Sequence, residues 1–262
     1  MLIGAHVPAA APLAAADERD AQVLQVFLSA PRTWRDPIGR GDADDLRADP
    51  RPIHVHAPYL INVASADEQV RARSTAALQA TCTAAAGIGA ASVVVHTGHG
   101  PLEQDPDVGR RRWRAVLERL DSDVPVLLES TAGGKNPVAR TCDQVEALFD
   151  TLEDLEVPVG FCLDTCHLHA AGEDLVAVTT RLRERLGRID LVHLNDSKDP
   201  VGSSRDRHEN LGAGSCPPDA LVGAVLAAEA PVVVETPGGA KAQAADVRWI
   251  RERLTGARTH VR

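Results

Sequence analysis

The sequence contains no apolar run approaching the roughly 20 residues that a helical membrane span needs, so no bilayer-crossing helix is expected. It also lacks a Cys-x-x-Cys pair, and its five cysteines are an odd number. Both points argue for a reducing compartment and against a disulfide framework. Met1-Leu2-Ile3-Gly4-Ala5-His6 carries neither a basic segment nor a cleavage-site pattern, and the protein is read as cytoplasmic. Neither G-x-x-x-x-G-K-[ST] nor G-x-S-x-G occurs, which leaves phosphate-loop and serine-hydrolase readings without a motif. Aromatics are scarce, with three Phe, three Trp and a single Tyr. Basic residues are outnumbered, 28 against 37 acidic, and the formal charge of −9 argues against indiscriminate adhesion to nucleic acid.

What is present is the composition of an ordinary globule, 44% hydrophobic and 25% charged. The 262 residues are fewer than two domains' worth, and barrels use roughly 200–250 residues as one unit, so residues 1–262 are expected to form a single domain. Eight Val/Ile/Leu-rich runs recur: Leu2 to Val7, Val23 to Leu28, Ile53 to Ala57, Ala91 to His96, Val124 to Glu129, Val159 to Asp164, Ile189 to Leu194 and Pro231 to Glu235. Their weak alternation suits parallel strands buried on both faces. Helical stretches lie between them, among them Ala66 to Ala86, Arg110 to Leu120, Asp143 to Leu155 and Leu175 to Leu186. Thr141, followed by Asp143 and Glu146, offers N-cap chemistry, and Gly87 and Gly187 stand where C′ glycines belong. Within the irregular Pro31 to Pro52 segment only a short helix fits, over Asp42 to Ala48. A last helix is expected from Ala242 to Leu254, with the final few residues fraying. Eight alternations of strand and helix predict an α/β fold, a (β/α)8 barrel, with a doubly wound sheet as runner-up.

The informative feature is the polar residue that stands at the end of each strand. The third run ends at His56, the fourth at His96 and the fifth at Glu129. The sixth delivers Asp164 and then His167, the seventh His193, and the eighth Glu235, while a later loop adds Asp206 and His208. In a barrel these all reach the C-terminal rim, where active sites are built. Imidazoles and carboxylates gathered there would strand their charges without a cation, and a mixed set of this kind suits zinc or manganese. Asp206 and His208, two apart in an extended loop, point the same way and could chelate one ion. A lone histidine after a strand is more often a hydrogen-bonded core or loop residue. Coincidence at six consecutive strand ends is a much poorer explanation. His6, His54, His99 and His169 are given that ordinary structural reading, with His99 and His169 as candidate partners behind the ligands. The cysteines are read as small packing groups.

At this point longer motifs resemble a family. His56-Ala-Pro-Tyr59-Leu-Ile-Asn62, Leu-Glu129-Ser-Thr-Ala-Gly, Leu-Asp164-Thr-Cys-His167, His193-Leu-Asn-Asp-Ser-Lys198 and Asp206-Arg-His208-x-x-Leu-Gly-x-Gly214 are similar to endonuclease IV, the apurinic/apyrimidinic endonucleases of base-excision repair. The resemblance spans nearly the whole chain. It implies a TIM barrel with three Zn2+ ions, with Mn2+ an alternative at one position. His56 and His96 would hold the first ion, and Glu129 would bridge it to a second completed by Asp164, His193 and Glu235. His167, Asp206 and His208 would hold the third. Glu129 and Glu235 would be the catalytic carboxylates. The implied partner is double-stranded DNA containing an abasic site, cut 5′ to the lesion to leave a 3′-hydroxyl and a 5′-deoxyribose phosphate, with removal of 3′-blocking groups as a companion activity. Arg32 and Tyr59 match the residues that enter the DNA at the lesion. No membrane partner is implied, and a monomer is the default expectation. The sequence departs from the family around Phe27-Leu-Ser-Ala-Pro31, at Pro8 and Pro12 and at His96-Thr-Gly. These changes touch DNA-facing loops and spare the ligands.

The rival is a one-metal sugar isomerase or epimerase of the xylose-isomerase-like barrels. Glu129, Asp164, His193 and Glu235 would satisfy it equally, whereas His56, His96, His167, Asp206 and His208 would be superfluous there. A zinc-stabilised DNA-binding module without activity is a third reading. Closed tetrahedra rather than adjacent trios are the usual structural zinc sites, which argues against it.

Overall fold

The computed structural model describes residues 1–259, so the fraying expected of the last residues lies outside them. In chain order the elements are β1 (Ile3–His6), α1 (Pro12–Asp17), β2 (Leu24–Phe27), α2 (Ala43–Ala48), β3 (Ile53–His56), α3 (Glu68–Gly87) and β4 (Ser92–His96). Then come α4 (Pro106–Leu117), β5 (Val126–Glu129), α5 (Cys142–Thr151), β6 (Val159–Asp164), α6 (Thr165–Ala171), α7 (Leu175–Leu186) and β7 (Leu191–His193). The chain closes with β8 (Asp196–Ser197), β9 (His208–Glu209), α8 (Pro218–Ala228), β10 (Val232–Val234) and α9 (Gly239–Thr259). The eight longer strands pair in parallel and close on themselves in the order β1-β10-β7-β6-β5-β4-β3-β2. This is the expected (β/α)8 barrel, and all eight predicted strands are in it. The antiparallel hairpin of β8 and β9 was not anticipated. It folds the loop after β7 back across the rim and so carries His208.

Alternation along the strands sorts the core into two populations. Ile53 and Val55, Val93 and Val95, Val126 and Leu128, and Phe161 and Leu163 point out to the helices and join the large shell between sheet and helices. Val23, Val94, Leu127, Cys162, Leu191 and Val233 form a separate cluster inside the barrel. Each inward residue is followed two positions later by a polar one at the rim: Gln25, His96, Glu129, Asp164, His193 and Glu235. Parallel register then sets neighbours side by side, His96 against Glu129 and Asp164 against His193. At the closure, a Cβ on Gly4 would lie 1.6 Å from Val23 O, so this position of β1 admits only glycine.

Local signals mostly act as expected. Gly187 ends α7 in the left-handed conformation. At the end of α3, by contrast, Gly87 is still helical, and the left-handed residue is Gly89 two positions on. Thr141 does cap α5, but its capping-box partner is Gln144, while Glu146 pairs with Arg181. No described helix is long and apolar enough to cross a membrane.

Candidate metal centre

Nine side chains from the rim, with Cys166, fall into five groups whose potential ligand atoms lie within 4.8 Å of one another; two of them, His56 with His193 and Glu235 and Asp164 with Cys166 and His208, cut across the three described next. In the first, His56 Nε2 and His96 Nε2 stand 3.3 and 3.1 Å from Glu129 Oε2. In the second, His193 Nδ1 is 3.0 Å from Glu129 Oε1 and 3.3 Å from Glu235 Oε2, with Asp164 closing the set. In the third, Asp206 lies between two rings, 3.3 Å from His167 Nε2 and 3.0 Å from His208 Nε2. Glu129 belongs to the first two groups and is wholly buried at the barrel's centre. The structure therefore brings all nine of these residues together at one rim, and the three expected sets are among the five groups they form.

The far side of each ring shows which nitrogen is available. His56 Nδ1 lies 2.7 Å from Ala57 O, His167 Nδ1 2.8 Å from Ser130 O, and His208 Nδ1 3.4 Å from Glu235 O. A carbonyl can only accept, so those nitrogens carry the N–H, and in the neutral ring Nε2 presents its lone pair to the cluster. His193 is reversed, its Nε2 held 2.9 Å from Gln25 Oε1 and its Nδ1 facing inward. Asp164 is also fixed. Its Oδ1 accepts from the His167 N–H at the N-terminus of α6, and its Oδ2 from Asn195 Nδ2.

Of five buried side-chain atoms without a hydrogen bond among the described residues, two, Glu129 Oε2 and His208 Nε2, belong to the nine. Leaving such groups unpaired is costly, and both point where an ion would sit. Electrostatics says the same. Burial alone would raise the Glu129 carboxyl, yet His96, His193 and His56 hold it well below its usual range. Burial would lower His167, but Asp164, Asp206 and Glu129 push it well above the ordinary imidazole value. His208 is likewise opposed by burial and is raised to about 9 by Asp206, Asp164 and Glu235. The carboxylates thus demand positive charge, and protons on the rings compete for that place with a cation. Nitrogen and oxygen donors in sets of three and four fit divalent transition ions.

Tyr59 is half exposed above this floor, its ring stacked 5.6 Å from that of His96 and edge-on at 5.3 Å to that of His56. Its backbone N–H donates to Pro31 O, which places the exposed Arg32 on the adjoining loop. A cleft of about 330 Å3 runs from Tyr59 past His96 and His167 to Ser204 and Asp206.

Two residues given an unremarkable reading, or none, turn out to matter. His6 is a hydrogen-bonded residue as expected, but its partner is one of the nine, its Nδ1 lying 3.1 Å from Glu235 Oε1. Gln25 touches both His193 and Glu235. A polar residue at an inward position of β2 was the signal for Gln25. His54 keeps its structural reading, with Nδ1 2.7 Å from Ser92 Oγ and burial lowering its pKa to about 4. His99 lines the cleft, and His169 Nε2 bonds Asp199 O, so the ties described for both run to residues other than the nine.

A protein family described as xylose isomerase-like TIM barrel matches residues 13–253. The chain is 52% identical over 254 residues to a probable endonuclease 4 of Mycobacterium ulcerans, covering 97% of this chain and 99% of that protein. To the probable endonuclease 4 of Mycobacterium leprae it is 51% identical over 256 residues, covering 98% and 100%. Among solved structures, endonuclease IV from Thermus thermophilus superposes with a TM-score of 0.82 at 28% identity, over 98% of this chain and all of that one. A D-tagatose 3-epimerase-like protein gives a TM-score of 0.80 at 16% identity over the full length of both chains, a likeness of fold alone.

Proposed function

Because the chain belongs to the endonuclease IV family, we propose that it is an apurinic/apyrimidinic endonuclease of DNA repair, acting on duplex DNA with an abasic site. The observation that carries this reading is the third group. His167, Asp206 and His208 gather beside the other six residues, and a one-metal isomerase has no use for them. His56, His96 and Glu129 would hold one divalent ion, Glu129, Asp164, His193 and Glu235 a second, and His167, Asp206 and His208 a third, with zinc the ion these donors suit best. When bound, such ions acidify a water and offset the charge that builds on a phosphodiester under attack.

The chain's own contribution is placement and exclusion. Glu129 offers one oxygen to each of the first two groups, so this one buried carboxylate fixes their separation. Asp164, held at both oxygens by the His167 N–H and Asn195, cannot rotate away. The Tyr59 hydroxyl is kept protonated, because burial and the carboxylates of Glu235, Glu129 and Asp206 all raise its pKa. It is therefore a neutral, partly apolar ring at the mouth. An abasic nucleotide has lost its stacking, and extruding it costs less than the few kcal/mol of flipping an intact base. Tyr59 and Arg32, on loops tied by the Pro31 carbonyl, would fill the space so vacated.

The test is incision of an end-labelled duplex carrying a tetrahydrofuran abasic analogue, together with metal content by mass spectrometry. The expected result is a nick on the 5′ side of the lesion that a polymerase can extend, about three ions per chain, and loss of both on prolonged chelation. Glu129→Gln should lower incision by at least three orders of magnitude while binding to the lesion persists, since it disturbs the floor and not the mouth. An intact duplex, with a ketose isomerised instead, would overturn the reading in favour of the sugar-isomerase alternative.

A further inference from the structure

Gln25 is wholly buried inside the barrel, yet its neighbours of the same parity along β2 are apolar, Val23 just before the strand and Phe27 at its end. Burying an amide is unfavourable unless its groups are bonded, and here both are engaged. Its Nε2 donates to Glu235 Oε1 at 2.7 Å, and its Oε1 lies 2.9 Å from His193 Nε2. These bonds fix the amide's orientation, because a carboxylate oxygen can only accept. Oε1 must therefore receive the His193 Nε2–H, which leaves the lone pair of the neutral ring on Nδ1. That nitrogen faces Glu129 Oε1 and Glu235 Oε2. His6 completes the arrangement, its Nδ1 3.1 Å from the same Glu235 Oε1 and 3.0 Å from Gln25 Nε2.

We propose that Gln25 is the positioning residue of the second ion's shell, orienting His193 and Glu235 together through one amide, with His6 securing the same carboxylate oxygen. Glu235 Oε1 is engaged on the barrel side, so Oε2 is the oxygen presented to an ion. His193 Nε2 is engaged likewise, so Nδ1 is the ligating nitrogen. An amide is the side chain this place requires. A carboxylate would repel Glu235, and an ammonium or guanidinium would compete with the cation, whereas Gln supplies a donor and an acceptor without net charge. His56 and His167 lean on backbone carbonyls, which substitution cannot remove, whereas His193 has a side chain behind it. The inference rests on the nine-residue cluster being a metal centre.

The measurement is zinc affinity, by chelator competition with mass-spectrometric counting, on the full chain and on Gln25→Met, which keeps length and volume and deletes both hydrogen bonds. Loss of a partner behind a ligand typically weakens metal binding by about 10–100-fold. Gln25→Met should therefore release one ion at correspondingly higher free zinc and keep the other two at the affinity of the unaltered chain. A merely structural role would not single out one ion. Equal affinity for every ion in Gln25→Met would overturn the inference and leave the endonuclease reading standing. An unaltered chain that takes up no divalent ion would sink that reading, and this inference with it. Should Gln25→Met fail to give a cooperative melt, His6→Phe decides. It keeps a ring on Phe27, now 4.5 Å from that of His6, and removes the nitrogen facing Glu235. It should weaken the same ion by roughly the lower end of that range, and unchanged affinity there would overturn the inference equally.

Discussion

Tyr59 and Gln25 mark the two ways in which single residues shape this site, one from above and one from behind. Tyr59 stacks on His96 but is half exposed, so its ring is free to meet a nucleotide without being part of the floor. Stacking an aromatic against a base is worth about 1–3 kcal/mol by alanine substitution. Tyr59→Ala should raise the dissociation constant for a tetrahydrofuran duplex by roughly tenfold or more and leave the zinc count unchanged. Fluorescence anisotropy with the labelled duplex reads the first quantity, and loss of zinc on substitution would show instead that the ring props up His96. At this scale six of the nine candidate ligands were legible because each is a polar residue closing an apolar strand, while His167, Asp206 and His208 stand in α6 and in the loop after β7. Gln25 and His6 were not, since glutamine and a lone histidine are weak signals by residue type. Parity carries the information that type does not: Val23 and Gln25 face inward together, as do Leu127 and Glu129.

Among the elements, the segment from the end of β7 to α8 does most to hold the rim, and it is where the sequence was least informative. Asn195 lies just past β7 and is wholly buried. Its Nδ2 donates to Asp164 Oδ2, and its Oδ1 accepts from the Glu235 N–H, so it ties β6 to the end of β10. Asn195→Ala would leave both of those groups without that partner at about 1–3 kcal/mol each. The expected loss is therefore about 2–6 kcal/mol in urea unfolding at unchanged m-value, together with weaker zinc binding. A loss below 1 kcal/mol would show that the two ligands are held by other contacts. Asp196 next to it accepts the backbone N–H groups of Ser197, Gly212, Gly214 and Cys216, and so organises the loop behind the β8–β9 hairpin. Hydrophobic periodicity made the eight barrel strands and the long helices readable. The two-residue strands of the hairpin are too short to leave a pattern, and the seven-residue α6 is buried nearly all round, so it shows no amphipathic face. They are fixed by side-chain-to-backbone bonds to residues far along the chain.

For the whole molecule, the charge of −9 has to be set against where the charges lie. Three divalent ions would add six, leaving about −3, with the whole gain on the barrel floor where a phosphate would dock. Several rim cations are already paired, Arg205 and Arg207 with Asp199 and Lys198 with Glu209. In the proposed endonuclease that distribution would favour brief, lesion-directed contact over general adhesion to DNA. The same composition makes alkaline stability a clean readout of the core. With three lysines and one tyrosine in the sequence, little besides cysteine would titrate as pH rises from about 8.5 to 10 in a zinc-loaded chain, where ions rather than protons occupy the rim histidines. All five cysteines are free and buried. Burial raises Cys82 and Cys142 from an ordinary 9.0 to about 11 and Cys162 to about 12. A thiol whose folded pKa lies above its unfolded one favours the folded state fully below the unfolded value. That contribution is lost as pH rises through 9 toward 11, because the unfolded chain ionises first. Each such thiol contributes a slope of up to about 1.4 kcal/mol per pH unit there, against a total stability of roughly 5–15 kcal/mol. Urea midpoints of the zinc-loaded chain should accordingly be flat between pH 7 and 8 and fall steeply above 9, whereas the metal-free chain should already decline from about pH 6.5 as His208, raised to about 9, gives up its proton. Cys82→Ala, though somewhat less stable at pH 7 for the volume it removes, should decline more gently by about one thiol's share. Parallel declines for the two chains would mean that Cys82 ionises as readily folded as unfolded, and that the shell between α3 and the barrel admits water.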